Sequence, residues 1–166
     1  MVSRSISDTG PIIHLTEIDS LVVLDIFSEI LIPEEVSNEL RLSKTLIHKK
    51  IKIFGIRPEF KNNVKVLTNQ ENLDLGEASA IIISIQEKAD CFLTDDLDAR
   101  NVALKYNLEV HGTVGVILRA FREKIINKKV AIEKIKELHT NSSLFITEDL
   151  INEVIGAVEE FEENKR

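Results

Sequence analysis

Short apolar runs bounded by acid, glycine or proline alternate along this chain with longer stretches in which apolar residues recur every three or four positions. The short runs predict strands at residues 3–8, 29–32, 64–68, 90–94 and 109–111. Proline marks two junctions. Asp8-Thr9-Gly10-Pro11 precedes a helix expected from Ile12, and Pro33 opens a helix to about Arg41, with Glu34 and Glu35 near its positive end. Asp74-Leu75-Gly76-Glu77 starts a helix that reaches about Lys88, and further helices are expected after Thr94 and from Thr113. At about 146–162 a helical tail is expected, with Ile146, Leu150, Ile151, Val154, Ile155, Val158 and Phe161 at amphipathic spacing. Core packing or a dimer interface is the default for that stripe, ahead of a surface for a partner protein. Strands separated by helices predict a parallel sheet covered on both faces.

Composition narrows the class. At 166 residues, with 43% apolar and 30% charged positions, the chain suits one folded domain over 1–166 and excludes collagenous or largely disordered classes. Uncharged runs such as residues 110–118 fall far below the ~18 apolar residues of a membrane span, and the opening MVSRSISD has no signal-peptide core, so a cytoplasmic protein with no membrane partner is expected. Cys91 is the single cysteine, and four scattered histidines form no zinc motif. Dinucleotide, P-loop and nucleophile-elbow motifs are missing.

The net charge of −7 argues against electrostatic coating of nucleic acid, yet its distribution is uneven. Residues 41–65 hold eight basic side chains and one acid, and residues 119–136 hold seven against two. Solvated helix faces and a local basic surface are both open readings of these runs.

Acid stands at the ends of the predicted strands. Asp8 closes the first, Asp95 and Asp96 close the fourth, and Glu39 and Glu77 project from helices that follow strands. In an open parallel sheet the ligand site lies beyond the carboxyl ends of the strands, where strand order reverses. Carboxylates brought together there would repel one another unless a cation neutralised them, and hard oxygen ligation implies Mg²⁺ or Mn²⁺. Each acid also has a structural reading. Asp8 suits an Asx-turn, Asp96 a cap for a helix beginning near Leu97, Glu77 a capping-box partner of Asp74, and Glu39 an exposed helix position.

The ordered motifs Ile6-Ser7-Asp8-Thr9-Gly10-Pro11-Ile12-Ile13, Ile32-Pro33-Glu34-Glu35-Val36-Ser37-Asn38-Glu39-Leu40, Leu75-Gly76-Glu77-Ala78-Ser79-Ala80-Ile81, Phe92-Leu93-Thr94-Asp95-Asp96-Leu97-Asp98-Ala99-Arg100 and His111-Gly112-Thr113-Val114-Gly115-Val116 span nearly the whole chain. In this order they resemble the PIN-domain family of metal-dependent ribonucleases, in a prokaryotic branch similar to VapC-type toxins of toxin–antitoxin pairs. The resemblance implies an α/β/α sandwich with a five-stranded, mainly parallel sheet in the order 3-2-1-4-5. It implies Asp8, Glu39, Glu77 and Asp96 as catalytic acids, those four together with the neighbouring auxiliary acid Asp95 as metal ligands, and Mg²⁺ or Mn²⁺ as cofactor. Thr9 and Thr113 match hydroxyl positions that hold water or a phosphate oxygen, while for Arg100 phosphate contact and structural pairing are both open. Implied partners are an RNA substrate, an antitoxin protein and a second copy of the chain. The basic excursion at about 41–63 would flank the RNA path, making Arg41, Lys44, Lys49, Lys50 and Lys52 the RNA-binding candidates.

The expected activity is endonucleolytic hydrolysis of RNA. An inactive domain of the same fold that binds RNA or a partner is the alternative. A phosphoacceptor receiver and a haloacid-dehalogenase-like phosphatase are disfavoured. A receiver wants its acidic pair after the first strand and a lysine after the fifth, and the phosphatase wants Asp-x-Asp where this chain has Asp8-Thr9-Gly10.

Overall fold

The computed structural model describes residues 3–42 and 48–163. Five strands, β1 (Arg4–Ser7), β2 (Glu29–Ile32), β3 (Ile51–Ile53), β4 (Cys91–Leu93) and β5 (Val110–His111), form one parallel sheet in the order β3-β2-β1-β4-β5. Among the described residues the α-helices are α1 (Thr9–Glu17), α2 (Glu34–Leu42), α3 (Lys61–Gln70), α4 (Leu75–Glu87), α5 (Leu97–Lys105), α6 (Thr113–Arg122), α7 (Lys128–Asn141) and α8 (Glu148–Glu163). None of them is long and apolar enough to cross a membrane.

Alternation along the strands divides the core in two. Ile6, Leu31 and Phe92 face Val64 and Leu67 of α3, Ala80 and Ile81 of α4 and Val102 of α5. Ile30, Ile32, Cys91 and Leu93 face α1, α2 and α6, with α7 and α8 extending that layer. The tail helix is part of this core: Ile151, Val154 and Val158 are buried, and Phe161 meets Phe121 edge-on with ring centroids 5.6 Å apart.

The third strand lies elsewhere than its period-2 pattern predicts. Residues 64–68 belong to α3, and the strand is Ile51–Ile53, inside the segment expected to be a helical or loop excursion. Val64, Val66 and Thr68 alternate like a strand, but Val64 and Leu67, one helical turn apart, are the buried pair and Val66 is 40% exposed. Packing against α4 selected the 3.6-residue period over β-branched propensity. As an edge strand, Ile51–Ile53 needs little apolar sequence of its own, which hides it. The first helix also begins earlier than expected, at Thr9, because Asp8 caps it and Pro11 falls in the first turn, where its missing N–H has no intrahelical role.

Several helices end on a residue with left-handed backbone, among them Asn72, Asn107 and the exposed Lys124, whose φ is 64°. A lysine pays a steric cost there that glycine avoids. Lys124→Gly is therefore expected to raise stability by roughly 0.5–1 kcal/mol, the αL cost less the added freedom of the unfolded chain, as a higher denaturation midpoint in urea.

Candidate active site

The chain builds β2 and β3 on one side of β1, then crosses to build β4 and β5 on the other. The reversal therefore lies between β1 and β4. The ladder between them continues one residue past β1, with the Asp8 amide donating to the Leu93 carbonyl at 2.9 Å. This fixes Asp8 at the carboxyl edge of the sheet, with only 7% of its surface exposed. Its Oδ1 accepts from the Thr9 amide at 2.7 Å as the α1 cap, and its Oδ2 accepts from the Thr94 hydroxyl at 3.1 Å. Thr94 Oγ1 in turn accepts from the Asp96 amide at 3.1 Å, so one hydroxyl links the two strand-end acids.

Three more carboxyls border this position. Thr9 Oγ1 donates to Glu39 Oε2 at 2.5 Å, drawing α2 towards the start of α1. Asp74 and Glu77 form a capping box at the start of α4: the Glu77 amide donates to Asp74 Oδ1 at 2.8 Å and the Asp74 amide to Glu77 Oε2 at 2.9 Å. Gly76 lets the two groups approach, since a Cβ there would lie 3.1 Å from Glu39 Oε1 and 3.3 Å from Asp74 Oδ1. Asp96 caps α5 through the Ala99 amide at 2.9 Å.

These acids share one electrostatic field. Burial pushes the Asp8 carboxyl up to about 6, with the charges of Asp74 and Glu39 adding to it against the hydrogen bonds from Thr9 and Thr94. Burial likewise pushes Glu77 up to about 7, aided by Asp74, Asp8 and Asp96. The local capping geometry expected for Asp74, Glu77 and Asp96 is present, and the same groups carry a mutual repulsion that no capping role requires. Asp74 belongs to this field as well as to the capping box; its spacing to Glu77 revealed the box, while nothing local revealed the field.

Asp95 is separate. Its Oδ1 accepts from the Thr113 amide at 2.7 Å, and its Oδ2 accepts from Thr113 Oγ1 at 2.5 Å and lies 2.7 Å from His14 Nδ1. Burial acts to raise its pKa, but the hydrogen bonds from His14 and Thr113 outweigh burial and hold it below the usual carboxylate range. Gly112 makes room for the contact, because a Cβ there would lie 2.8 Å from Asp95 Oδ1 and 3.0 Å from Arg100 Nη2. Thr113 is thus engaged with Asp95, whereas Thr9 is engaged with Glu39. Half-buried Arg100 lies over the β4–α5 turn with Nη2 3.5 Å from the Thr94 carbonyl. His14 and Thr94 are polar residues here outside the candidate set that the sequence offers: Thr94 figures only as the threonine of a Thr-x-Asp spacing, and His14 beside Leu15 reads as a helix-surface or packed histidine.

Lys49, Lys50 and Lys52 are not brought to these acids. Lys49 and Lys50 precede β3, at the amino end of the parallel strands. Lys50 Nζ is held by the Asp25 and Phe27 carbonyls at 2.8 and 2.6 Å, and Lys52 Nζ lies 3.2 Å from Glu29. Arg41 is exposed in the last turn of α2, and Lys44 lies outside the described residues. Lys61 and Lys65 line a hollow with Pro33, Phe54, Leu75 and Ser79, beyond the carboxyl ends of β2 and β3.

Among the described residues, no three acidic, histidine or cysteine side chains stand as a preformed metal cage, since Glu77 and Asp96 are turned to helix amides. The donor set nevertheless suits a hard divalent cation, being all carboxylate oxygen around a buried and electrostatically penalised Asp8.

Comparison with known proteins agrees with this architecture. A structure of a PilT N-terminus domain protein from the hyperthermophilic archaeon Sulfolobus solfataricus P2 superposes with a TM-score of 0.54 at 15% identity, over 70% of this chain and 92% of the other. That similarity concerns the fold alone. A search of curated proteins returned no match. A family model described as "DUF3368: PIN domain" matches residues 4–160, and the chain therefore belongs to that family of PIN-domain proteins.

Proposed function

We propose that this chain is an endoribonuclease that hydrolyses RNA phosphodiester bonds with a divalent cation, Mg²⁺ or Mn²⁺. The observation that supports the reading best is the gathering of Asp8, Glu39, Asp74, Glu77 and Asp96 at the strand-order reversal, where burial first and the neighbouring charges second raise Asp8 to about 6 and Glu77 to about 7. PIN domains are generally nucleases, and so much charge of one sign at a buried position calls for neutralisation. Asp8, Glu39 and Asp96 would hold the cation, Asp96 having one carboxylate oxygen engaged in the cap on α5. When bound, the cation supplies charge neutralisation at the phosphodiester and activation of the attacking water.

The chain's own groups do the rest. Thr9 orients Glu39 through its hydroxyl, and Thr94 orients Asp8 and the Asp96 backbone through a single oxygen. Glu77, with a carboxyl poised near neutrality, is the group suited to accept the proton of the attacking water at a carboxylate oxygen. Asp95 holds the start of α6 in place.

The test is cleavage of a labelled single-stranded RNA pool with Mg²⁺, Mn²⁺ or EDTA. Wild type is expected to cleave only with metal, and Asp8→Asn and Asp96→Asn to lose at least about 100-fold while keeping a folded circular dichroism spectrum. A wild-type chain that cleaves nothing, or cleavage that survives both substitutions, would replace this reading with a PIN-fold binding module.

A further inference from the structure

The connection between α7 and α8, residues 142–147, borders the groove that contains Asp8 and Asp96. It is firmly tied. The Ser143 amide and hydroxyl donate to Glu17 Oε2 at 2.7 and 3.0 Å, the Leu144 amide donates to Ser142 Oγ at 3.2 Å, and His139 Nδ1 lies 2.9 Å from the Ile146 carbonyl. Leu144 packs against the core and Ile146 is buried, but Phe145 between them is 92% exposed. A held loop thus presents an aromatic ring to water, with no ring or cation contact to it among the described residues.

Phe145 stands where two hollows meet. One contains Asp8, Asp96 and the 72% exposed Leu97; the other contains Arg100, His111 and Gly112. Among the described residues the Arg100 guanidinium makes no ion pair, its only hydrogen bond being the long one to the Thr94 carbonyl. An apolar protein surface laid over this ridge would strip water from the carboxylates of Asp96 and Asp98 and bring them no cation, their partners being the neutral Ala99 amide and Asn72 side chain, at a large desolvation cost. An unpaired nucleobase can cover the ring while leaving those carboxylates wet, and its phosphate gains the guanidinium. In a chain of net charge −7, stacking also provides affinity that the overall field does not.

We propose that Phe145 is a stacking platform for the base of an unpaired nucleotide beside the carboxylate site, with Arg100 as the cation for that nucleotide's phosphate, so that the site takes single-stranded rather than duplex nucleic acid. The proposal rests on the nuclease reading above and makes Phe145 a positioning residue.

The chain contains no tryptophan, so Phe145→Trp places a single indole reporter at this position. Titration with a single-stranded 2′-O-methyl octanucleotide is expected to quench its fluorescence, and the same strand annealed to its complement is expected not to. In cleavage of single-stranded RNA, Phe145→Ala should raise KM about 5- to 150-fold with kcat within a few-fold, and Phe145→Tyr should restore KM. Cleavage by wild type with an unchanged KM in Phe145→Ala overturns the stacking role and leaves the nuclease reading standing. Indole fluorescence that shifts with protein concentration alone, and not with the oligonucleotide, assigns the ridge to a second copy of the chain and also overturns it. Absence of both cleavage and oligonucleotide binding by wild type would overturn the nuclease reading and the stacking role together.

Discussion

Asp8→Asn is expected to raise the melting temperature of the metal-free protein by roughly 4–8 °C at pH 8, and to change it little at pH 4. The Asp8 carboxyl titrates near 3.8 in the unfolded chain and at about 6 in the folded one. Below pH 4 it is protonated in both states. Between pH 4 and 6 the folded chain keeps a proton that the unfolded chain has lost, so stability falls as pH rises; above 6 the full cost of the buried charge is present. That cost is about 3 kcal/mol by the pKa difference, of which about 1 kcal/mol is returned when the Thr94 hydroxyl loses its carboxylate acceptor. Thermal melts of the two proteins across pH 4–8 check the sign and the window. Mg²⁺ or Mn²⁺ should raise the wild-type melting temperature at pH 8 and leave that of Asp8→Asn nearly unmoved. A variant more stable than wild type and inactive would place Asp8 among groups kept for chemistry at the expense of stability. An Asp8→Asn protein that melts lower at pH 8 would show the carboxylate to be structural.

Asp95→Ala is expected to act in the opposite direction, lowering the melting temperature by roughly 6–12 °C at pH 7, for a loss of about 3 kcal/mol. Gly112 cannot cap α6 with a side chain, so Asp95 supplies that cap from across the sheet through the Thr113 amide and also holds Thr113 Oγ1 and His14. Truncation strands these donors in a largely enclosed space. Because the folded-state pKa of Asp95 is depressed, its contribution is present above the ordinary carboxylate range and lost as pH falls through the folded value. The gap between wild type and variant should therefore close in strong acid. An Asp95→Ala protein that melts like wild type at pH 7 while binding Mn²⁺ more weakly would instead make Asp95 a ligand.

These opposite signs separate two neighbouring residues that look alike in the sequence. Asp95 and Asp96 follow the same strand, yet one turns towards α6 and the other caps α5. Side-chain direction after a strand depends on what lies across the turn, and here that partner is 18 residues away. The same limit applies to Asp74, whose local spacing to Glu77 marks a capping box but whose repulsion on Asp8 arises from the approach of α4 to β1.

By itself the sequence determined the alternation of strands and helices, the covered parallel sheet, the buried Cys91 and the acids at the ends of the first and fourth strands, because periodicity and capping chemistry act over a few residues. Its ordered motifs also pointed to the PIN family. Tertiary structure alone decided that Ile51–Ile53 and not residues 64–68 joins the sheet, that Lys49 and Lys50 sit at its amino end, and which carboxyls share a field. Edge pairing, strand direction and charge coupling are set by distances between segments far apart in the chain, and burial multiplies their effect by removing water.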